Sequence, residues 1–112
     1  MQVRSLVRVS EKDFGRTITL RTGDMLNVRL TGNPTTGYNW SVADGSEILK
    51  QLGDPEFESA ARGLPGAGGK VTIRFRAVKP GKTVLKLAYQ RLWEKSVPPI
   101  ATFQVTVIVK KD

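Results

Sequence analysis

The chain predicts an all-β fold, two antiparallel sheets packed as an immunoglobulin-like sandwich of about seven to eight strands, and three observations carry that expectation. Apolar and polar residues alternate with period two from end to end, and no stretch shows a competing helical period. Turn signals built on Gly, Pro, Asn and Asp recur every ten residues or so, the spacing of short strands in a sandwich. The 112 residues suffice for one domain, spanning 1–112, that buries a core with no disulfide, because the chain has no Cys. A small Greek-key barrel is the alternative architecture.

The elements follow in order. Val3 to Val9 and Thr17 to Leu20 read as weaker strands, punctuated by Gly15 and Gly23-Asp24. Leu26, Val28 and Leu30 alternate with Met25, Asn27, Arg29 and Thr31, the pattern of a half-buried strand. Tyr38, Trp40 and Val42 continue it after a Pro/Gly loop, and the segment Glu47 to Leu52 predicts a short helical turn. Val71, Ile73, Phe75 and Ala77 face one way, with Lys70, Thr72, Arg74 and Arg76 opposite. Leu85, Leu87 and Tyr89 mirror them across Lys79-Pro80-Gly81-Lys82, which predicts a type II turn and a hairpin. The last strand sets Phe103, Val105, Val107 and Val109 inward, with Thr102, Gln104, Thr106 and Ile108 outward.

Composition narrows the function classes. With no His and no Cys, the commonest general base, the commonest neutral metal ligand and the thiol nucleophile are all missing. The acids sit at turn positions such as Asp13, Asp24, Asp44 and Asp54, so the chain is expected to be neither an enzyme nor a metal or cofactor protein. No run approaches the roughly 18 apolar residues that cross a bilayer, and Met1 to Val9 carries too much charge for a secretory signal. The chain is thus expected to be soluble, without membrane insertion.

The formal net charge is +8, and it is unevenly spread. No acid occurs between Ser59 and Trp93, a stretch that holds Arg62, Lys70, Arg74, Arg76, Lys79, Lys82, Lys86 and Arg91. One face is therefore expected to be electropositive, a property that suits nucleic acid, an anionic membrane surface or an acidic protein.

Three loops carry the most specific signals. The first is Asn33-Pro34-Thr35-Thr36-Gly37-Tyr38. Pro34 fixes its own φ and restricts Asn33, Gly37 allows positive φ, and the branched threonines hold few rotamers, so the tip is rigid and narrow. The second is Leu64-Pro65-Gly66-Ala67-Gly68-Gly69. A strand rather than a helix follows it, which excludes a phosphate cradle of the dinucleotide type and leaves a bare backbone that another polypeptide can approach. The third runs from Arg91 to Pro99 and opens with Arg91-Leu92-Trp93, pairing a bidentate donor with a large amphipathic ring. Trp93 lies beyond the strand end, whereas the alternation places Trp40 inside. Counting strands, all three loops emerge at the same end of the sandwich.

Together these motifs resemble the chagasin-like inhibitors of papain-family cysteine peptidases. That family is marked by an Asn-Pro-Thr-Thr-Gly-aromatic loop, a Gly-X-Gly-Gly loop and an Arg-Pro-Trp loop, in the order found here. Leu92 departs from the pattern, standing where the family has proline. The resemblance implies a reversible, competitive protein inhibitor whose three loops fill the active-site cleft. Thr35 and Thr36 would cover the catalytic Cys and His, the glycine loop would flank one side, and Arg91 with Trp93 the other. It also implies a papain-like, cathepsin-type peptidase as partner and a monomer when free. A basic β-domain binding single-stranded nucleic acid is the rival reading, but most of the eight aromatics alternate inward and leave little stacking surface. A purely adhesive immunoglobulin-like module is the third.

Overall fold

The computed structural model describes residues 5–59, 68–94 and 96–111, and among them nine strands form two facing sheets. The strands are β1 (Leu6–Ser10), β2 (Thr17–Arg21), β3 (Met25–Gly32), β4 (Asn39–Asp44), β5 (Leu49–Gln51), β6 (Glu56–Ser59), β7 (Gly69–Ala77), β8 (Gly81–Gln90) and β9 (Ala101–Lys110). One sheet orders β1-β3-β7, with β5 and β6 both pairing with β7; the other orders β2-β9-β8-β4. The inward alternation is as the sequence predicts: Leu26, Val28, Leu30, Ile73, Phe75, Leu85, Leu87, Val105 and Val107 are buried between the sheets, as is Trp40. These apolar faces exclude water from both sheets at once, which is what makes the two-layer arrangement stable.

Four details differ from expectation. The sheets are mixed rather than antiparallel throughout, because β1 runs parallel to β3 and β2 parallel to β9. The chain reaches both parallel partners by crossing between sheets, and alternation specifies a strand's inward face without specifying its neighbour. The Glu47 to Leu52 segment holds strand β5 instead of a helical turn; Leu49 is buried against the core and Gln51 pairs with Phe75. Strand β6 has exposed residues at all four positions and so shows no alternation to read. Finally, β7 and β8 are not a hairpin: Pro80 and Gly81 carry the chain from one sheet to the other, and Gly81 has φ +153° rather than the roughly +80° of a type II turn.

The pairing register places the loop bases together. Gly32 at the end of β3 lies opposite Gly69 at the start of β7. Asn39 at the start of β4 faces Gln90 at the end of β8, and Tyr89 faces Ala101. All three loops therefore leave from one end of the sandwich.

Just below that end, Glu11 fastens the β3 terminus. Its carboxylate accepts hydrogen bonds from the Thr31 backbone N–H at 3.1 Å and the Thr31 hydroxyl at 2.7 Å, and Lys70 Nζ stands 3.4 Å away. Partial burial pushes the carboxyl upward, but the Thr31 hydrogen bond and the Lys70 charge outweigh it, so its pKa lies below the usual glutamate value. A lowered pKa in the folded state stabilises the fold above the unfolded pKa of about 4.5, and that contribution disappears as pH falls through the folded value. Glu11→Gln should therefore lower stability at pH 7 by no more than about 1 kcal/mol, given the solvent exposure of both partners. Thermal melts of the two proteins should converge as the pH falls through the folded-state pKa of Glu11.

Candidate functional site

The first loop is a turn that bonds to itself. Pro34–Thr36 forms one 3-10 turn, and Asn33 caps it: Asn33 Oδ1 accepts the Thr35 N–H at 3.2 Å and the Thr35 hydroxyl at 2.6 Å. The Asn33 carbonyl accepts the Thr36 N–H at 3.2 Å and the Thr36 hydroxyl at 2.7 Å. Both threonine hydroxyls thus spend their protons inside the loop, which fixes the rotamers that β-branching already narrows. Gly37 follows with φ +83°, the positive-φ position that the sequence assigns to it.

A column of stacked groups ties this loop to the core and to the third loop. At its root is Trp40, 7 % exposed, whose indole N–H donates to the Thr31 carbonyl at 3.0 Å. Its ring packs 4.9 Å from Tyr89, and Tyr89 packs 5.4 Å from Tyr38. The Tyr89 hydroxyl accepts the Asn33 N–H at 2.9 Å. Above Tyr38 lies the Arg91 guanidinium, 4.4 Å from the ring centroid, and 5.9 Å further on is the ring of Trp93. Such cation–π stacking contributes about 0.5–1 kcal/mol at exposed sites and more where water is excluded.

Arg91 is therefore turned into the molecule. Its Nε donates to the Thr36 carbonyl at 3.0 Å, and its Nη1 lies 3.8 Å from Glu94 Oε1. The sequence marks it as a binding donor; the structure also gives it the task of joining the first loop to the third. Trp93 rests on Gly37 so closely that a Cβ there would overlap Cη2 and stand 3.0 Å from Cζ2. Gly37 is required twice, by its φ and by the ring above it. Trp93 and Leu92 remain 68 % and 65 % exposed, so an apolar surface faces solvent at the tip.

Of the glycine loop, Gly66 and Ala67 lie outside the described residues, Gly68 immediately precedes β7, and Gly69, which the sequence places in the loop, is the first residue of β7 because it pairs with Gly32. Gly68 is exposed, and among the described residues a Cβ there would meet only the Gly32 carbonyl at 3.8 Å, an ordinary contact. Gly69 is buried opposite Gly32.

Sequence reasoning missed three supporting residues. Gly32 admits Val71, whose Cγ2 would lie 2.7 Å from a Cβ at that position. Tyr89 holds the loop backbone by its hydroxyl, and Glu94 pairs with Arg91. A tyrosine, rather than an aliphatic residue, at the last inward position of a strand is the one signal that marks a polar tip at a loop base.

Known proteins resemble this chain in sequence and in fold. The sequence signature of the chagasin family peptidase inhibitor I42 matches residues 19–107. Amoebiasin-1 of Entamoeba histolytica is 35% identical over 85 residues, covering 76% of this chain and 82% of that protein. Chagasin of Trypanosoma cruzi is 28% identical over 91 residues, covering 77% and 82%. The crystal structure of the cysteine protease inhibitor EhICP2 from Entamoeba histolytica superposes with a TM-score of 0.80 at 23% identity, over 98% of this chain and 100% of that one. A signature spanning most of the chain, a relative above 30% identity and a matching sandwich converge on one statement: the chain belongs to the chagasin family of peptidase inhibitors.

Proposed function

We propose that the chain is a reversible, competitive inhibitor of papain-family cysteine peptidases, and that the three loops at one end of the sandwich fill the peptidase cleft. The observation that carries this reading is the joining of the first and third loops by Arg91 and by Trp93 on Gly37, which makes one preformed wedge of two sequence-distant segments. Preorganisation lowers the ordering cost of binding, so a small contact area can bind tightly. The peptidase-binding residues are Asn33, Pro34, Thr35, Thr36, Gly37 and Tyr38 of the first loop, Gly66, Ala67, Gly68 and Gly69 of the second, and Arg91, Leu92 and Trp93 of the third.

The same hydrogen bonds explain how a peptide placed beside a catalytic thiol escapes cleavage. A peptidase binds its substrate as an extended strand, whereas residues 34–36 are wound into a turn. The Thr36 carbonyl already accepts from Arg91, and the Asn33 carbonyl from Thr36. Extending the segment for attack breaks all of these together. The loop obstructs the cleft without adopting the geometry of a substrate.

Titration of papain with the protein, read with a fluorogenic substrate, should give competitive inhibition that reverses on dilution. No inhibition at micromolar protein, or progressive cleavage of the 33–38 loop, overturns the reading. Gly68→Arg should weaken inhibition about tenfold or more with an unchanged melting temperature, since the site has room for a side chain while the approach of a second backbone does not. Normal inhibition by that variant would make the glycine segment a connector only.

A further inference from the structure

The inhibitory wedge uses none of the charge excess on the strand faces, and the outer face of the five-stranded sheet gathers much of it. Arg8 on β1, Asn27 on β3 and Arg74 on β7 form one row across the sheet, and Arg76 and Met25 form the next. Arg8 and Arg74 stand two strand spacings apart, about 10 Å, and Arg74 and Arg76 are two residues apart on the same face, about 7 Å. Arg29, Lys12 and Arg16 surround a shallow depression of about 830 Å3 over this area. Three carboxylates also line it: Asp13, which pairs with Arg16 at 3.1 Å, and Glu56 and Glu58 at the far β6 edge, which pair with Arg74 and Arg29. Among the described residues neither Arg8 nor Arg76 has an ion-pair partner, and the Arg76 guanidinium lies 3.9 Å from the Met25 sulfur.

A second observation lies on the floor of the same depression. Asn27 Oδ1 is buried and accepts no hydrogen bond, the one such side-chain atom among the described residues. An acceptor left without a donor costs free energy until one is supplied, and here it lies in one row with Arg8 and Arg74. A partner that brings anions for the arginines and hydroxyl donors for Asn27, Ser10 and Thr72 satisfies both features. Stacked nucleobases do not suit the face, because among the described residues Phe57 is the only aromatic side chain that lines the depression.

We infer that this face binds an acidic polysaccharide, a chain of sugars bearing sulfate or carboxylate groups, while the wedge remains free. Met25, opposite Arg76, is seven residues along β3 from Gly32 at the wedge, roughly 23 Å, so one molecule has room for both partners. Such binding would hold the inhibitor on an anionic matrix or cell surface with its loops outward. The ion pairs at the β6 edge oppose it little, since exposed pairs contribute only about 0–1 kcal/mol each.

The test uses heparin-derived oligosaccharide as probe at about 0.15 M salt, with calorimetry of the intact protein. Arg8→Glu/Arg76→Glu should lose at least about tenfold in affinity and show a shallower salt dependence. Lys82→Glu/Lys110→Glu, on the outer face of the other sheet, makes the same change in net charge and should change affinity less than about twofold. Papain inhibition and melting temperature should be preserved in both. Equal losses in the two double variants, absence of binding at this salt, or tighter binding of single-stranded DNA of equal charge would each overturn the inference.

Discussion

Gly37→Val is expected to lower the affinity for a papain-like peptidase by about two to three orders of magnitude, the largest effect of any single substitution at the wedge. Two costs add. Valine at φ +83° is strained by about 1–3 kcal/mol, and its branched side chain stands where the Trp93 ring rests. The ring is the far end of a side chain that can swing away, so the steric clash is relieved by losing the stacked position rather than by moving backbone. The loop relaxes to another conformation, and the wedge loses its first segment and the seat of its third together, at about 1.4 kcal/mol per factor of ten. Thermal stability should fall far less, because the buried layers of the sandwich lie below. A Gly37→Ala variant separates the terms: it keeps the clash with the ring and the positive φ but removes the β-branch, so it should fall between wild type and valine. Inhibition constants and melting temperatures for the three proteins check this, and near-normal inhibition by the valine variant would refute the preformed wedge.

The sandwich was legible where burial is two-sided in its consequences. In β3 and β7 every second residue is buried, as it is from Thr83 to Leu87 in β8 and from Phe103 to Val109 in β9, so period two is written into the residues themselves. It was illegible where strands lie at a polar edge, as in β6, or are three residues long, as in β5. Pairing partners were also hidden: nothing in Leu85 or Leu87 tells whether the strand after Pro80-Gly81 returns beside β7 or crosses to the other sheet. At the site, the positive φ of Gly37 and the exposure of Trp93 follow from local chemistry, a glycine between short polar residues and a tryptophan beyond a strand end. The inward turn of Arg91 does not. It depends on Thr36 and Tyr38, more than fifty residues away in sequence, and sequence pattern carries no information about which of several partners a guanidinium meets.

The outermost member of the column is the place to separate binding from folding. Trp93→Ala should raise the inhibition constant about 30-fold, the effect of about 2 kcal/mol expected when a buried interface tryptophan is truncated, mostly through faster dissociation. Its melting temperature should hardly move, since the ring is 68 % exposed in the free protein. Trp40→Ala should do the reverse at the root of the same column, costing about 3–5 kcal/mol of stability because it empties a buried site and removes the donor to the Thr31 carbonyl. Between them, Leu92 reports on the departure from the family's proline. The Glu94 N–H donates to the Arg91 carbonyl at 3.1 Å, closing a turn with Leu92 and Trp93 at its two central positions. Neither has positive φ, so the turn is of type I, and proline is favoured at its first central position. Leu92→Pro should therefore fit the present backbone and tighten inhibition about two- to fivefold, the effect of about 0.4–1 kcal/mol less ordering entropy. Weaker inhibition would mean instead that the exposed leucine itself touches the peptidase, so that this chain has exchanged a stiffer turn for an apolar contact.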